Sequence, residues 1–103
     1  MSEHMALTET TYYILLSLYK PLHGYGIMQR AAELSGGRVR LAAGTLYGAL
    51  NALVDKGWIA LLPGEGRKKE YALTPRGLEV LKKELDRLRE LVASGDMVMK
   101  EEG

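Results

Sequence analysis

A leucine repeat near the C-terminus constrains the fold of this 103-residue chain more than any other feature. Its members step by three and four positions and are Leu78, Leu81, Leu85, Leu88 and Val92. This spacing predicts an amphipathic helix with a coiled-coil seam. A helix over 75–92 is about 27 Å long at 1.5 Å per residue, which is too long for one small body to bury its whole seam.

The seam therefore predicts a homodimer, in which it packs on the partner's last helix and on the apolar first helix. The alternative is packing within one chain. The predicted dimer interface is Ile14, Leu18, Leu78, Leu81, Leu85, Leu88 and Val92. The pattern ends near Gly95, so residues 95–103 are expected to form a flexible tail, and residues 1–7 a flexible N-terminus.

Three helices are predicted before the seam, and apolar residues at helical spacing mark the buried face of each. Thr8 is a candidate N-cap for the first, and the second is expected over 24–35. Residues 38–41 alternate polar and apolar side chains, which predicts a short half-buried strand. The third helix is expected over 43–56, with Gly57 as a left-handed C-terminal residue.

Two β-prone segments, 58–62 and 69–73, flank a glycine-containing turn and predict a hairpin. The whole pattern is mainly α with a small β-hairpin, which is typical of a winged helix-turn-helix with an added C-terminal dimerisation helix. We divide the chain into a winged-helix DNA-binding domain over 8–74 and a dimerisation helix over 75–94.

The charge pattern favours a nucleic-acid partner although the net charge is only +1. Residues 20–69 carry eight Lys and Arg against three Asp and Glu, a net +5, whereas residues 1–19 and 70–103 are each −2. A basic middle between acidic ends is expected of a surface that faces a polyanion. A solvated mixed surface is the alternative.

The third helix has a small, polar face opposite its leucines. Gly48 would let the backbone approach a DNA groove closely, and Thr45, Tyr47 and Asn51 can hydrogen-bond base edges or phosphates. The alternative is a plain solvent face. That alternative does not explain Gly48, because glycine costs about 0.5–1 kcal/mol inside a helix, and a packing contact would then have to account for it.

The hairpin tip carries three consecutive cations, Arg67, Lys68 and Lys69. Such a tip suits phosphate contacts or insertion into the minor groove, although a basic turn alone is more often a solvated loop. Combined with the polar third helix, it predicts binding to double-stranded DNA. A winged-helix module that binds another protein is the alternative function, and it would be expected to expose apolar residues there.

Several function classes are excluded or disfavoured. The chain has no cysteine and two histidines, His4 and His23, so neither an enzyme, a cofactor nor a metal site is predicted. His23 is expected to cap a turn. No apolar run approaches the roughly 20 residues of a membrane span, and the first residues lack a signal-peptide pattern, so a cytoplasmic protein is expected.

Five motifs together resemble the PadR-like transcriptional regulators. They are HGYGI at 23–27, GTLY at 44–47, LNAL at 50–53, KGWI at 56–59 and YALTPRG at 71–77. The resemblance covers roughly residues 7–92 and implies a dimeric winged-helix repressor, mostly bacterial, of the short subgroup with one C-terminal helix. A dimer would place two recognition helices about 34 Å apart and read a pseudo-palindromic operator.

The resemblance also implies roles for individual residues. It places Thr45, Tyr47 and Asn51 on the recognition helix, and Arg67, Lys68 and Lys69 on the wing. Tyr25 falls in the turn that opens the second helix, where it either helps to hold a phosphate or serves as a packing residue. The chain departs from the family at Ala43, where many relatives have proline, and at Trp58, where relatives usually have an aliphatic residue.

A small aromatic ligand is a further expected partner, since some members of this family bind such molecules. Four aromatic side chains lie on elements that can surround a cavity between dimer halves: Tyr12, Tyr13, Tyr19 and Trp58. Plain core aromatics are the alternative, because no convergent polar anchor is visible in the sequence.

Overall fold

The helices follow the predicted order, and the strands differ from the prediction in two places. The computed structural model describes residues 5–63 and 69–101. The elements of this part are α1 (Glu9–Ser17), β1 (Leu22–His23), α2 (Gly24–Leu34), α3 (Ala43–Asp55), β2 (Ile59–Leu61), β3 (Glu70–Leu73) and α4 (Pro75–Glu101). The expectation of a mainly helical fold with a small hairpin is confirmed.

The sheet contains a strand that the sequence did not reveal. Its order is β1-β3-β2, and both pairs are antiparallel, with Tyr71 opposite Leu22 on one side and opposite Leu61 on the other. The predicted strand at 38–41 is wrong. Val39 and Leu41 are buried as the alternation predicted, but both edges of β3 are already occupied, so this segment has no strand to pair with there.

The helix ends show the predicted capping chemistry. The Thr11 N–H donates to Thr8 Oγ1 at 3.1 Å, and the Gly26 N–H donates to His23 Nδ1 at 3.2 Å. Gly57 has a φ of 77° after α3, a backbone conformation that glycine adopts without strain. The capping roles expected of Thr8, His23 and Gly57 are therefore confirmed.

The core lies where α1 packs against α2 and α4. Ile14 is 0% and Leu18 1% exposed, and Leu81 is also buried. Side chains that are already covered within one chain present little surface to a second copy, so this burial argues against placing these three residues in a dimer interface. Leu78, Leu85 and Leu88 are half-buried.

Helix α4 is longer than predicted and continues without interruption to Glu101. The expectation of a flexible tail from residue 95 is therefore wrong up to Glu101. One glycine in a helix costs only about 1 kcal/mol, and the residues around Gly95 favour or tolerate a helix. All residues from Arg89 to Glu101 are exposed, so the second half of α4 projects from the body.

Two contacts hold the first half of α4 to the body. A Cβ atom at Gly77 would lie 1.9 Å from the Trp58 carbonyl oxygen, so only glycine permits this approach. The buried carboxylate of Glu84 accepts from the Leu7 N–H at 3.2 Å and from Arg87 Nε and Nη2 at 2.7 and 2.8 Å. Residue 7 is thus anchored to α4, unlike the flexible N-terminus that was expected there.

Candidate nucleic-acid interface

The outer face of α3 is open and polar. Thr45, Gly48 and Asn51 are exposed, whereas Leu46 and Leu50 on the opposite side are fully buried. A Cβ atom added at Gly48 would meet no atom within 4 Å. Packing within the chain therefore does not account for Gly48, and a bare helix surface is available for close approach to a nucleic-acid groove.

Tyr47 differs from its neighbours because it packs against a second helix. A Cβ atom at Gly24 would lie 2.4 Å from the Tyr47 hydroxyl oxygen and 2.9 Å from Cζ. The side chain is still 46% exposed. Tyr47 therefore fills the space above the first turn of α2 and presents part of its ring to solvent at the junction of α2 and α3.

Tyr71 joins this junction from β3, although it is not among the site residues predicted from the sequence. Burial raises the pKa of the Tyr71 phenol, and the nearby Tyr47 adds to the rise. Tyr71 consequently stays protonated, and able to donate a hydrogen bond, throughout the physiological range. Its place in the YALTPRG motif was visible, but its nearness to Tyr47 depends on β3 being the central strand.

Tyr25 lies on the first turn of α2 and is 62% exposed. Its ring meets the His23 ring edge-on, with centroids 6.5 Å apart. The first four N–H groups of a helix have no intrahelical acceptor, and His23 Nδ1 satisfies the one at Gly26. The packing role that was the alternative for Tyr25 therefore consists of this edge contact with His23. The rest of the side chain is exposed, so its hydroxyl is accessible to a ligand at the start of α2.

The predicted wing is described only at its base. The Leu62 N–H donates to the Glu70 carbonyl oxygen at 2.8 Å, and this bond extends the pairing of β2 and β3 towards the tip. Lys69 is exposed just before β3. Arg67 and Lys68 lie outside the described residues.

The four aromatic residues proposed for ligand binding are not gathered around the cavity that Trp58 lines. Tyr12 and Tyr13 meet edge-on at 5.6 Å, and Tyr19 is 71% exposed. Trp58 instead lines a cavity between α3, α4 and the segment before α1, and none of the three tyrosines lines that cavity.

The family is settled by a comparison with known protein families. The family model described as the transcriptional regulator PadR-like family matches residues 7–83. The chain belongs to this family. The description of this family is that of transcriptional regulators.

Solved PadR-family structures share the fold. The chain is 32% identical to Bacillus subtilis PadR in complex with operator DNA, with a TM-score of 0.62, and the match covers 73% of this chain and 45% of that one. A PadR family regulator from Clostridium difficile R20291 gives a TM-score of 0.74 at 23% identity, over 89% of this chain and 99% of the other. The predicted winged helix-turn-helix is confirmed.

A curated relative matches a shorter stretch. An uncharacterised 37.1 kDa protein in transposon TN4556 of Streptomyces fradiae is 44% identical over 64 residues, which are 62% of this PadR-family chain and 18% of that protein. The chain thus spans about a fifth of the length of this relative. Within residues 5–63 and 69–101, no helix is both long and apolar enough to cross a membrane.

Proposed function

We propose that this PadR-family chain is a homodimeric repressor that binds a pseudo-palindromic operator in double-stranded DNA. The observation that carries the proposal is the outer face of α3, where Thr45 and Asn51 flank a glycine surface that no part of the described chain covers. Bacillus subtilis PadR, which is 32% identical, has been solved with operator DNA. By analogy, α3 enters the major groove and the wing contacts the backbone.

The proposed site has three parts with different tasks. Thr45 and Asn51 read base edges, and Gly48 permits the close approach they need. Tyr47 and Tyr25 hold a phosphate at the start of α2, where helix N–H groups point outwards. Arg67, Lys68 and Lys69 supply sequence-independent attraction to the phosphates.

The dimer follows from the projecting half of α4. Val92 is 62% exposed, and Leu91, Val98 and Met99 are also exposed, although helix residues in water are usually polar. The 3–4 spacing continues from Val92 through Gly95 to Met99. We therefore assign the seam that faces the partner subunit to four residues of α4: Leu85, Leu88, Val92 and Met99. Leu78 lies at the margin of this seam, and the buried Ile14, Leu18 and Leu81 are no longer part of it.

A dimer of this kind sets the geometry of the operator. Two copies of α3 related by a two-fold axis would meet DNA about 34 Å apart, one helical turn of the duplex. Release of the DNA by a small aromatic ligand, and action in the bacterial cytoplasm, belong to the same proposal. The alternative of a protein-binding module is less well supported, because the α3 face is polar where such a module would expose apolar side chains.

The decisive experiment is operator binding at several salt concentrations after selection of bound fragments from genomic DNA. Replacing Arg67, Lys68 and Lys69 by alanine should weaken binding to every sequence and flatten the dependence of affinity on salt by up to about three counterions. The matched control removes three exposed cations from α4, Lys82, Arg89 and Lys100, and should leave the slope unchanged. Equal binding by the wing variant and the parent would refute the wing assignment.

Asn51→Ala tests direct readout separately from electrostatics. This change should alter the preferred sequence at about a 1–3 kcal/mol cost for the parent operator and leave the salt slope as it was. A uniform loss on all sequences would instead place Asn51 at a phosphate.

A further inference from the structure

The two residues that follow the C-terminus of α3 are fixed to that helix by hydrogen bonds. The Gly57 N–H donates to the Val54 carbonyl oxygen at 2.9 Å. The Trp58 N–H donates to the Leu53 carbonyl oxygen at 3.1 Å. With Gly57 at a φ of 77°, these two bonds form a Schellman motif, which closes a helix end tightly. Gly57 and Trp58 therefore move together with α3.

Thr74 connects these two residues to α4. Its N–H donates to the Trp58 carbonyl oxygen at 3.0 Å, and its hydroxyl donates to the Gly57 carbonyl oxygen at 2.6 Å. The same hydroxyl oxygen accepts from the Gly77 N–H at 3.0 Å, in the first turn of α4. One side chain thus caps α4 and holds the segment that closes α3. We call Gly57, Trp58, Thr74 and Gly77 the joint.

The joint is the direct connection between the two helices. Helix α3 packs chiefly on α2 and β2, whereas α4 packs chiefly on α1 and β3. A second tie lies farther along α4, where the Glu84 carboxylate accepts from the Leu7 N–H. The seven residues from Gly77 to Glu84 span about 10 Å of helix. Two ties at this separation fix the direction in which α4 leaves the body.

We infer that Thr74 is a positioning residue that sets the spacing between the two half-sites of the operator. The inference rests on the proposed function, in which α4 forms the dimer and each α3 reads one half-site. Met99 lies about 33 Å along α4 from Gly77, so a tilt of about 10° at the joint displaces it by roughly 6 Å. One base pair advances the duplex by about 3.4 Å and turns it by about 35°. A loosened joint therefore weakens discrimination between operators that differ by one base pair in spacing.

The first test measures the distance between the two copies of α3 in the absence of DNA. The chain contains no cysteine, so Ala52→Cys, at an exposed position of α3, carries one spin label per protomer. Double electron–electron resonance on the full chain should give one narrow distribution of distances. Thr74→Val keeps the shape of the side chain without the hydroxyl and should broaden the distribution by roughly 3–6 Å, the displacement expected of a tilt at the joint. Thr74→Ser, which keeps the hydroxyl, should stay narrow.

The second test measures operator affinity against half-site spacing. Synthetic operators carry the selected half-sites at their own spacing, or with one base pair added or removed. The parent should prefer its own spacing, and Thr74→Val should lose about two- to ten-fold of this preference, the contribution of one neutral hydrogen bond. Thr74→Ser should keep the preference. All three proteins should bind an isolated half-site equally, because the side chains on the outer face of α3 are unchanged.

Two control variants separate positioning from a loss of stability. Thr11→Val makes the same substitution on α1, where the hydroxyl accepts only a neighbouring bond from the Thr8 hydroxyl. Ile27→Val removes one buried methylene from the core and lowers the unfolding temperature without altering the joint. Both controls should keep the narrow distribution and the spacing preference. Thermal unfolding confirms that each variant folds, and Thr74→Ala replaces Thr74→Val if the latter does not.

The possible results distinguish this inference from the proposed function. A parent and a folded Thr74→Val with equally narrow distributions and equal spacing preference would overturn the role of Thr74 alone. Equal broadening in Ile27→Val would also overturn it, because general destabilisation would then be the cause. A parent that shows no distance between labels and binds no operator would refute the proposed function, and the inference would fall with it.

Discussion

The hydroxyl of Tyr47 on α3 lies directly over Gly24 on α2, where a Cβ atom would stand only 2.4 Å away. Helix α2 and the recognition helix α3 are therefore in contact where the Tyr47 ring packs on the backbone of Gly24. This contact sets how α3 is held relative to the first turn of α2, the two parts of the proposed DNA surface. The absence of a side chain at position 24 allows the Tyr47 ring to lie in this place, and it serves the geometry of the interface.

Gly24→Ala should disturb this junction. The added methyl group displaces the ring of Tyr47, and because this ring is 46% exposed and can turn towards solvent, the cost should be at most about 1 kcal/mol of unfolding free energy, the lower end of the range for overpacking. Operator affinity should fall as well, because Tyr47 and α3 move together. Urea unfolding and operator titration measure the two effects. Gly44→Ala, where a Cβ atom meets nothing within 4 Å, is the stability control and should not destabilise the chain.

Gly48→Ala should separate stability from function. A Cβ atom there has open space, so the change should raise the free energy of unfolding by roughly 0.5–1 kcal/mol. The same methyl group should lower operator affinity, because it stands between the helix backbone and the groove. Ser94→Ala, on an exposed turn of α4, should add a few tenths of a kcal/mol without changing DNA binding. An unchanged operator affinity in Gly48→Ala would mean that this surface does not approach DNA closely.

Val92→Glu should convert the dimer to a monomer. The side chain is 62% exposed within one chain, so the change should leave the fold of the protomer intact. In a dimer it would bury two like charges at the seam, which is strongly unfavourable. Sedimentation velocity across a concentration range measures the effect. Ala93→Glu places the same side chain on another face of α4 and should remain dimeric; dissociation of both variants alike would argue against the seam.

The pH dependence of stability should show a contribution from Tyr71. Burial, with a smaller effect of Tyr47, raises the pKa of this phenol in the folded state. Folding therefore favours the protonated form, and the associated stabilisation is complete below about pH 10, the unfolded value, and is lost as the pH rises through the folded-state pKa.

The comparison with Tyr71→Phe tests this contribution. The parent should lose stability more steeply than Tyr71→Phe above about pH 10, as followed by urea unfolding at successive pH values. Equal slopes in the parent and Tyr71→Phe would show that the phenol is not perturbed by folding.

Local features of the chain were predicted well, because their causes lie within a few residues. The caps at Thr8 and His23 and the glycine after α3 depend on side chains that reach their own backbone. The hairpin follows from two β-prone segments around a turn, and the polar face of α3 from 3.6-residue periodicity. The five family motifs also lie within these elements, which is why the family was recognisable from the sequence.

The pairing of strands and the packing of helices were predicted poorly, because they depend on residues that are distant in the chain. The alternation at 38–41 correctly indicated buried Val39 and Leu41, but Leu22 and His23 take the strand's place beside β3. Ile14 and Leu18 are apolar, as residues of a dimer interface would be, but α2 and α4 cover them within one chain. An apolar stripe shows that a face will be buried and does not show what will bury it.

The sequence by itself determined the presence of the four helices and the hairpin, the helix caps, the basic middle of the chain and the family, since each depends on short-range patterns of residue type. Only the tertiary structure decided which glycines are obligatory. Gly48 faces open space, while Gly24 lies under Tyr47 and Gly77 against the Trp58 carbonyl oxygen. It likewise separated Leu81, which is buried in the body, from Val92, which lies on the projecting part of α4. The physical reason is that burial and close approach depend on surfaces brought together by folding, and residue spacing along the chain does not specify those surfaces.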